Sequence, residues 1–550
     1  MNTGLAYILS VCLLYSVTNN LQGFIMNKDN TWLKSKGYLH FTNQINVFAK
    51  RDSIIKKVTD KEFIEKYAFY PLIHTILKER KYKKIDKFGK RAHSYINENG
   101  SPRRTIKNRP LHYATHMDAI IFGYYADLLQ KEYENSLLEH AGLTDCIIAY
   151  RKIPTGIDGK NKSTIHFAKE VFDEIRRRTE LETECVVLAF DIKNFFSTLD
   201  HDILKSAWSK LLNEEKLPKD HYNVFKGATR FSYILKDDLR QYCTVGRKRA
   251  GFDERELARI RNRLGINSFF ESPKAFRDKL KSGQLKVYKR PFVNKETKKP
   301  IGIPQGLPIS AVLANLYLLE FDTKVLKLLV KDVSCFYRRY SDDIVVVCSS
   351  HQKKVVEQFI IDSMKESKVI ISEDKTETFY YTKDASLKGN AFITCFKETN
   401  NTKVPASFIY LGFQFDGKNV LIKSSNLAKF YRRMISSVKR KVKRSFSVAS
   451  QNPDKKPVIF RRQLYKLYSE LDLNKTKIHK RWKRLVKTEF GNYKLISGKR
   501  SQSLKSNYFG YANRASEIME EPKIKNQVRN HRKIFNQAIY KHLTSKIKNL

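Results

Sequence analysis

Cysteine is scarce and scattered. The 550-residue chain holds seven, Cys12, Cys146, Cys185, Cys243, Cys335, Cys348 and Cys395, with no CxxC pair among them. An odd number at wide spacing argues against both a zinc site and a disulfide framework, and it fits a reducing, cytoplasmic setting. Long apolar runs are also missing. Leu5 to Val17 is apolar, but it falls short of the ~20 residues that cross a bilayer. It has neither the basic n-region nor the small-residue cleavage site of a signal peptide. Residues 1–27 are therefore set apart as an N-terminal apolar segment, either buried or frayed, and a true start at Met26 would leave residues 1–25 outside the protein. No membrane partner is expected. Acidic residues are the third shortage, 56 against 105 Lys and Arg, for a net charge of +49. That excess excludes an ordinary metabolic enzyme and calls for a polyanionic partner, nucleic acid above all.

The acids are rarest at the C-terminal end. Residues 421–550 contain 34 Lys and Arg and 7 Asp and Glu, a net +27, with proline only at 453, 457 and 522. Helical patterning is expected there, with the charge runs Ser437–Arg444 and His479–Arg484 on helices and a turn at Asp416–Asn419 marking a boundary. Aromatic residues interleave with the basic ones (Tyr431, Phe446, Tyr465, Tyr468, Trp482, Phe490, Tyr493). They suit stacking on unpaired bases or filling a core. Hydrophobic residues make up 41% of the chain, enough for a large core, and the length predicts about two to four domains.

Between these ends, apolar runs of strand length appear. Cys185–Phe190 runs into Asp191. Cys335–Tyr340 and Asp343–Cys348 flank Ser341-Asp342, which predicts a hairpin. Helix is expected over 111–140 and 310–329, and strand over 369–372 and 408–415. If the strand ending at Asp191 neighbours the hairpin, Asp191, Asp342 and Asp343 converge at one sheet edge. Like charges so placed would raise one another's pKa, and divalent cations would relieve them. Two Mg²⁺ about 3.5–4 Å apart would serve phosphoryl transfer. Asp237-Asp238 is an internal control, because it lacks apolar strands on either side and reads as a solvated face.

Tyr340-Ser341-Asp342-Asp343 resembles the YxDD signature of reverse transcriptases, and the other palm motifs of that family follow in order. Phe190–Phe196 resembles motif A, with Asp191 as metal ligand and Phe196 as sugar gate. Ile303–Ser310 resembles motif B, with Gln305 and Gly306 under the incoming nucleotide. There glycine would let backbone approach the ligand closely. Ser372–Glu377 resembles motif D, with Lys375 near the phosphates. Tyr410–Phe413 resembles motif E, the primer grip, through Leu411 and Gly412. Arg104, Arg151 and Lys152 fall in a fingers-like stretch, and His166 is given no role.

The resemblance implies an α+β right-hand polymerase. Fingers would occupy 28–184 and the palm 185–415, with an insert at 205–300. A helical thumb and basic extension would span 416–550. It also implies two Mg²⁺ held by Asp191, Asp342 and Asp343, with the Ile192 carbonyl as an extra ligand. The chain has no VTG triplet or NAxxH element, as retron enzymes do, and no Cys/His endonuclease cluster. It is most similar to the bacterial "unknown group" reverse transcriptases, which include antiphage enzymes. That implies dNTPs as substrates, DNA as product and a non-coding RNA as template, and leaves a homo-oligomer open. A template-independent or protein-primed polymerase of abortive-infection type is an alternative. So is an RNA-binding protein with a lapsed polymerase site.

Overall fold

The computed structural model describes residues 30–547, apart from 81–82, 85–90, 97–98, 157–158, 242–250, 290–291, 373–375, 386–390, 401, 453, 455, 460, 469–476, 488–492 and 504–506. The N-terminal apolar segment and Lys375 lie outside the described residues. The architecture is α+β, and the chain divides into two compact units, each assembled from separated stretches.

One unit comprises the chain through Ala141, Asn194–Glu320 and Ser367–Val369. Its sheet runs in the order Ile106–Tyr113, Leu72–Arg80, Ser232–Leu235, Tyr288–Lys289. Phe41, Ile73, Ile234, Phe270, Phe276 and Leu285 form one of its buried clusters. The helix expected over 111–140 starts later, at His116, and ends at Leu138. Residues up to Tyr113 are strand, paired antiparallel with Leu72–Arg80, and the Thr115 hydroxyl caps the helix by accepting from the Asp118 N–H at 3.3 Å. Tertiary pairing and an N-cap thus override a continuous apolar pattern.

The other unit comprises Gly142–Lys193, Phe321–Glu366 and Ile370–Leu550. Its main sheet is antiparallel, as expected for residues 185–415. It has six antiparallel strands: β1 (Glu184–Asp191), β2 (Phe336–Tyr340), β3 (Asp343–Ser349), β4 (Glu377–Ala385), β5 (Ala391–Thr399) and β6 (Thr402–Pro405). The spatial order is β2-β3-β1-β4-β5-β6. Being central, β1 is apolar on both faces, with Cys185, Val186, Val187 and Leu188 all fully buried. Helix α1 (Thr164–Glu182) lays Ile165, Ala168, Val171, Phe172 and Ile175 against Cys185, Val187, Val345 and Val347. His166, at the third position of α1, accepts from the Ser163 N–H through Nδ1 at 3.0 Å and so caps the helix.

The strand expected at 369–372 is reduced to a single bridge, Ile371 to Ile192. The one expected at 408–415 is two strands, β7 (Phe408–Tyr410) and β8 (Phe413–Phe415), joined by a tight turn and completed by β9 (Val420–Ile422). Leu411 (φ 44°) and Gly412 (φ 94°) form that turn in the left-handed region, where glycine carries no steric cost.

Among the described residues, the basic end is mostly helical and carries one antiparallel ribbon. Helix α2 (Ser424–Ser450) packs Met434, Val438 and Val442 against Phe535, Ala538 and Ile539 of α5 (His531–Ile547). Between them come α3 (Arg461–Tyr468), the antiparallel strands β10 (Lys477–Lys487) and β11 (Tyr493–Ser503), and α4 (Tyr508–Ile518). Ser437–Arg444 lies on α2 as expected. His479–Arg484 is strand, not helix, because 493–503 supplies a full-length partner and Ile478, Trp482 and Val486 are strand formers.

Candidate active site

The edge of the six-stranded sheet carries the carboxylates. β2 and β3 form the expected hairpin, with Tyr340 opposite Asp343 and Ser341-Asp342 as its two-residue loop. Because β3 also pairs with β1, Asp343 stands directly opposite Asp191, followed by Ile344 opposite Phe190. Directly opposed residues of an antiparallel pair share one face. The loop is fastened to β1 as well, since the Ile192 N–H donates to the Asp342 carbonyl at 3.2 Å. Asp191 in turn accepts at its own carbonyl from the Ser372 N–H at 2.8 Å. Sequence separation of some 150 residues is thus closed by strand register alone.

The turn is strained and braced. Ser341 sits at φ 62° and is buried, a conformation that costs a non-glycine residue free energy. Two side chains hold it. The Arg339 guanidinium donates through Nη1 to the Ser341 carbonyl at 3.2 Å, and the Tyr150 hydroxyl lies 3.3 Å from Ser341 Oγ. Arg339 is itself completely buried. Its Nε donates to Asp322 Oδ1 at 2.8 Å and its Nη2 to Asp322 Oδ2 at 2.5 Å. The Tyr337 hydroxyl donates to the same carboxylate at 2.7 Å. Sequence reasoning missed this pair because Asp322 and Arg339 lie in different elements. The only available signal was a basic residue inside an apolar strand.

Electrostatics around the edge follow from burial. The Tyr340 hydroxyl is pushed above its ordinary pKa by burial, then by Tyr150 and Asp343. The Tyr410 hydroxyl is raised further, by burial first and Asp343 second. It has no hydrogen-bond partner among the described residues. Both phenols are therefore neutral at physiological pH and add no negative charge beside the carboxylates.

The donor chemistry fits a hard divalent cation, since carboxylate oxygens and the Ile192 carbonyl are the ligand type Mg²⁺ takes. Among the described residues, however, no three His, Cys, Asp or Glu side chains are gathered as a ready-made metal group. Strand register places Asp343 opposite Asp191, with Asp342 in the adjoining loop.

The remaining residues fall in two groups. In the first unit, the half-buried Phe196 begins a short helical turn with Phe195, their rings 5.7 Å apart. The Phe196 carbonyl accepts from the Ile303 N–H at 2.7 Å, and Leu199 accepts from the Gly302 N–H at 2.7 Å. The Phe196 segment and the Gln305-Gly306 loop are therefore one assembly. The Gln305 carbonyl accepts from the His112 N–H at 2.8 Å. Gly306 has φ 118°, and a Cβ there would overlap the His112 carbonyl oxygen. The close approach that demands glycine is to His112. Gly306→Ala is expected to cost about 3 kcal/mol of stability, from overlap and backbone strain together. Urea denaturation checks this, and an unchanged midpoint would refute it. Arg104 ends the exposed strand Pro102–Arg104 in the same unit.

In the second unit, Arg151 donates through Nη1 to the carbonyls of Thr144 at 2.5 Å and Ile147 at 2.6 Å, and Lys152 is exposed. Leu411 and Gly412 cap the β7–β8 turn, with the Gly412 carbonyl accepting from the Lys423 N–H at 2.9 Å. The control pair Asp237-Asp238 lies on a short 3₁₀ turn, Lys236–Leu239, which follows the strand Ser232–Leu235 and is not the loop of a hairpin.

Comparison with known proteins agrees with the motif order. Residues 269–415 match the family described as reverse transcriptase (RNA-dependent DNA polymerase). That segment is similar to reverse transcriptase domains. It contains the Gln305-Gly306 loop, the Asp342-Asp343 hairpin and the Leu411-Gly412 turn, while Asp191 lies before it. No curated protein matches the chain.

Similar solved structures include apo telomerase from Candida tropicalis truncated from its C-terminal domain, at 12% identity and a TM-score of 0.35, covering 58% of this chain and 53% of that one. Telomerase from Candida albicans in complex with a TWJ fragment of telomeric RNA matches at 11% identity and a TM-score of 0.35, covering 90% and 66%. The chain thus spans about half the length of the first of these. None of their substrates or partners is carried over to it. Among the described residues no helix is long and apolar enough to cross a membrane.

Proposed function

We propose that the chain is an RNA-directed DNA polymerase. The observation that supports this most is the register of Asp343 against Asp191, with Asp342 in the adjoining loop. In this reading Asp191 and Asp342 hold two Mg²⁺, with Asp343 and the Ile192 carbonyl assisting. The bound metals would lower the charge cost of 3′-OH attack on the α-phosphate of a dNTP. The protein's own contribution is positional. β1 and β3 fix the carboxylates in one register, and the Arg339–Asp322 pair fixes the loop between β2 and β3.

Gln305 and Gly306 would lie under the nucleotide, with Lys375, Arg104, Arg151 and Lys152 toward its phosphates. Leu411 and Gly412 would steady the primer end. Fingers, palm and thumb would follow the spans 28–184, 185–415 and 416–550. The basic α2 surface and the β10–β11 ribbon would hold a non-coding RNA template and its DNA product by phosphate contacts. Similarity to the defence-associated enzymes supports a cytoplasmic antiphage role.

Phe196 would act as the sugar gate, its ring filling the space a ribose 2′-OH needs. Phe196→Ala is expected to raise rNTP use relative to dNTP by about tenfold or more, read as the ratio of kcat/KM values. An unchanged ratio would remove Phe196 from that role. The reading as a whole is tested by incubating the purified chain with RNA template, DNA primer and labelled dNTPs. Complementary extension supports it, and no extension with Mg²⁺ or Mn²⁺ contradicts it.

A further inference from the structure

A cavity of about 570 Å³ opens beside the four-stranded sheet, where Ser232–Leu235 pairs with Tyr288–Lys289. Its volume is within the range of small-ligand sites. The polar side is made by Arg230, Ser232 and Lys289. Ser232 stands directly opposite Lys289 in the antiparallel pair, so the two side chains share a face. Arg230 directly follows the helix Lys219–Thr229. No acidic side chain lines the cavity. Arg230 and Lys289 are exposed, and neither makes an ion pair among the described residues. A cavity lined by charge of one sign favours an occupant of the other.

The Ser232 hydroxyl adds a third donor. Ser232 is only half-buried, and its hydroxyl makes no hydrogen bond among the described residues. It is not one of the sealed polar atoms either, so an arriving acceptor can reach it without displacing a protein partner. The other side of the cavity is apolar, with Phe292, Pro300 and Ile301. The Ile301 N–H donates to the Phe292 carbonyl at 3.3 Å, and Val293 bridges to Pro300, which fixes that wall. Phe231 packs on Phe292 with ring centroids 6.3 Å apart. Because Phe292 is half-buried, it keeps ring surface for a flat group.

We propose that this cavity binds one nucleotide unit. Its phosphate takes the Arg230 guanidinium, the Lys289 ammonium and the Ser232 hydroxyl, and its base lies against the Phe292 wall. The unit is either a free nucleotide or an unpaired residue of a bound strand, and the contacts are the same for both. None of these residues has a part in the polymerase reading, and the site does not depend on it.

The test uses the full chain in EDTA, so that no incorporation is required. Probes are a fluorescent N-methylanthraniloyl-ATP and a single-stranded 12-nucleotide RNA carrying 4-thiouridine. Arg230→Gln with Lys289→Gln is expected to weaken the bound probe about tenfold, the scale of lost hydrogen bonds to a charged group. Lys274→Gln with Arg277→Gln removes the same charge from exposed positions of the helix Pro273–Lys281 and should weaken it less than about twofold. Ser232→Ala is expected to weaken binding several-fold with Tm unchanged, as loss of one neutral hydrogen bond to the ligand would. A hydroxyl that serves only the fold would lower Tm and leave binding alone.

Affinity for the ATP probe lost in the cavity variants, without RNA crosslinks there, identifies a free-nucleotide site. Crosslinks mapping to Phe231 or Phe292 identify an unpaired strand residue. Equal weakening by the cavity pair and the Lys274/Arg277 pair overturns the proposal, because overall charge would then explain binding. So does unchanged affinity in the cavity variants, or failure of both probes to bind.

Discussion

Replacing Asp342 and Asp343 together by Asn is expected to reduce Mg²⁺-dependent dNTP incorporation by roughly a thousandfold or more, the scale of losing preorganised charge stabilisation. Asp237→Asn with Asp238→Asn should leave it largely intact. The two doublets share a dipeptide and differ in setting. Asp342-Asp343 joins two strands of a six-stranded sheet and faces Asp191 in register. Asp237-Asp238 lies on a 3₁₀ turn with Arg240 Nε 3.2 Å from Asp237. Equal loss in both double variants would show that incorporation depends on overall charge or stability, and the site assignment would fail. Folding is checked separately by thermal denaturation, since neither doublet is deeply buried.

The second large effect falls on a pair that touches no substrate. Arg339→Met leaves the fully buried Asp322 carboxylate without its cationic partner, with only the Tyr337 hydroxyl donating to it. Breaking a buried pair from one side costs about 3–5 kcal/mol. Arg339→Met combined with Asp322→Leu should recover much of that stability, because an apolar pair of similar volume is often tolerated. Incorporation should not recover with it, because the donor to the Ser341 carbonyl is still gone. Chemical denaturation reads the first effect and dNTP turnover the second. If turnover returns along with stability, Arg339 contributes only to the fold and does not position the carboxylate loop.

The elements that carry the site were also the most legible in the sequence. Cys185–Phe190 is a continuous apolar run because β1 is buried on both faces. The hairpin was marked by two apolar arms around a polar pair. What could not be read depends on contacts between distant segments. Pairing with Leu72–Arg80 makes strand of residues that looked like the start of a helix, up to Tyr113. Pairing with 493–503 turns the His479–Arg484 charge run into strand. The Asp322–Arg339 pair is invisible to any local pattern, and the reason for Gly306 became clear only with the His112 carbonyl beside it. Register brings Asp191 and Asp343 opposite each other at one sheet edge, as the apolar strand and hairpin pattern suggested.

The most direct test of the central claim is whether carboxylates at this edge hold the catalytic cation. Mn²⁺ binding to the intact chain, followed by electron paramagnetic resonance, should show sites that weaken at least tenfold in Asp191→Asn and again in Asp342→Asn. Dinucleotide-step extension of an RNA-templated primer should fall in parallel. Unaltered Mn²⁺ affinity in both variants, or extension that persists without Asp191, would contradict the account.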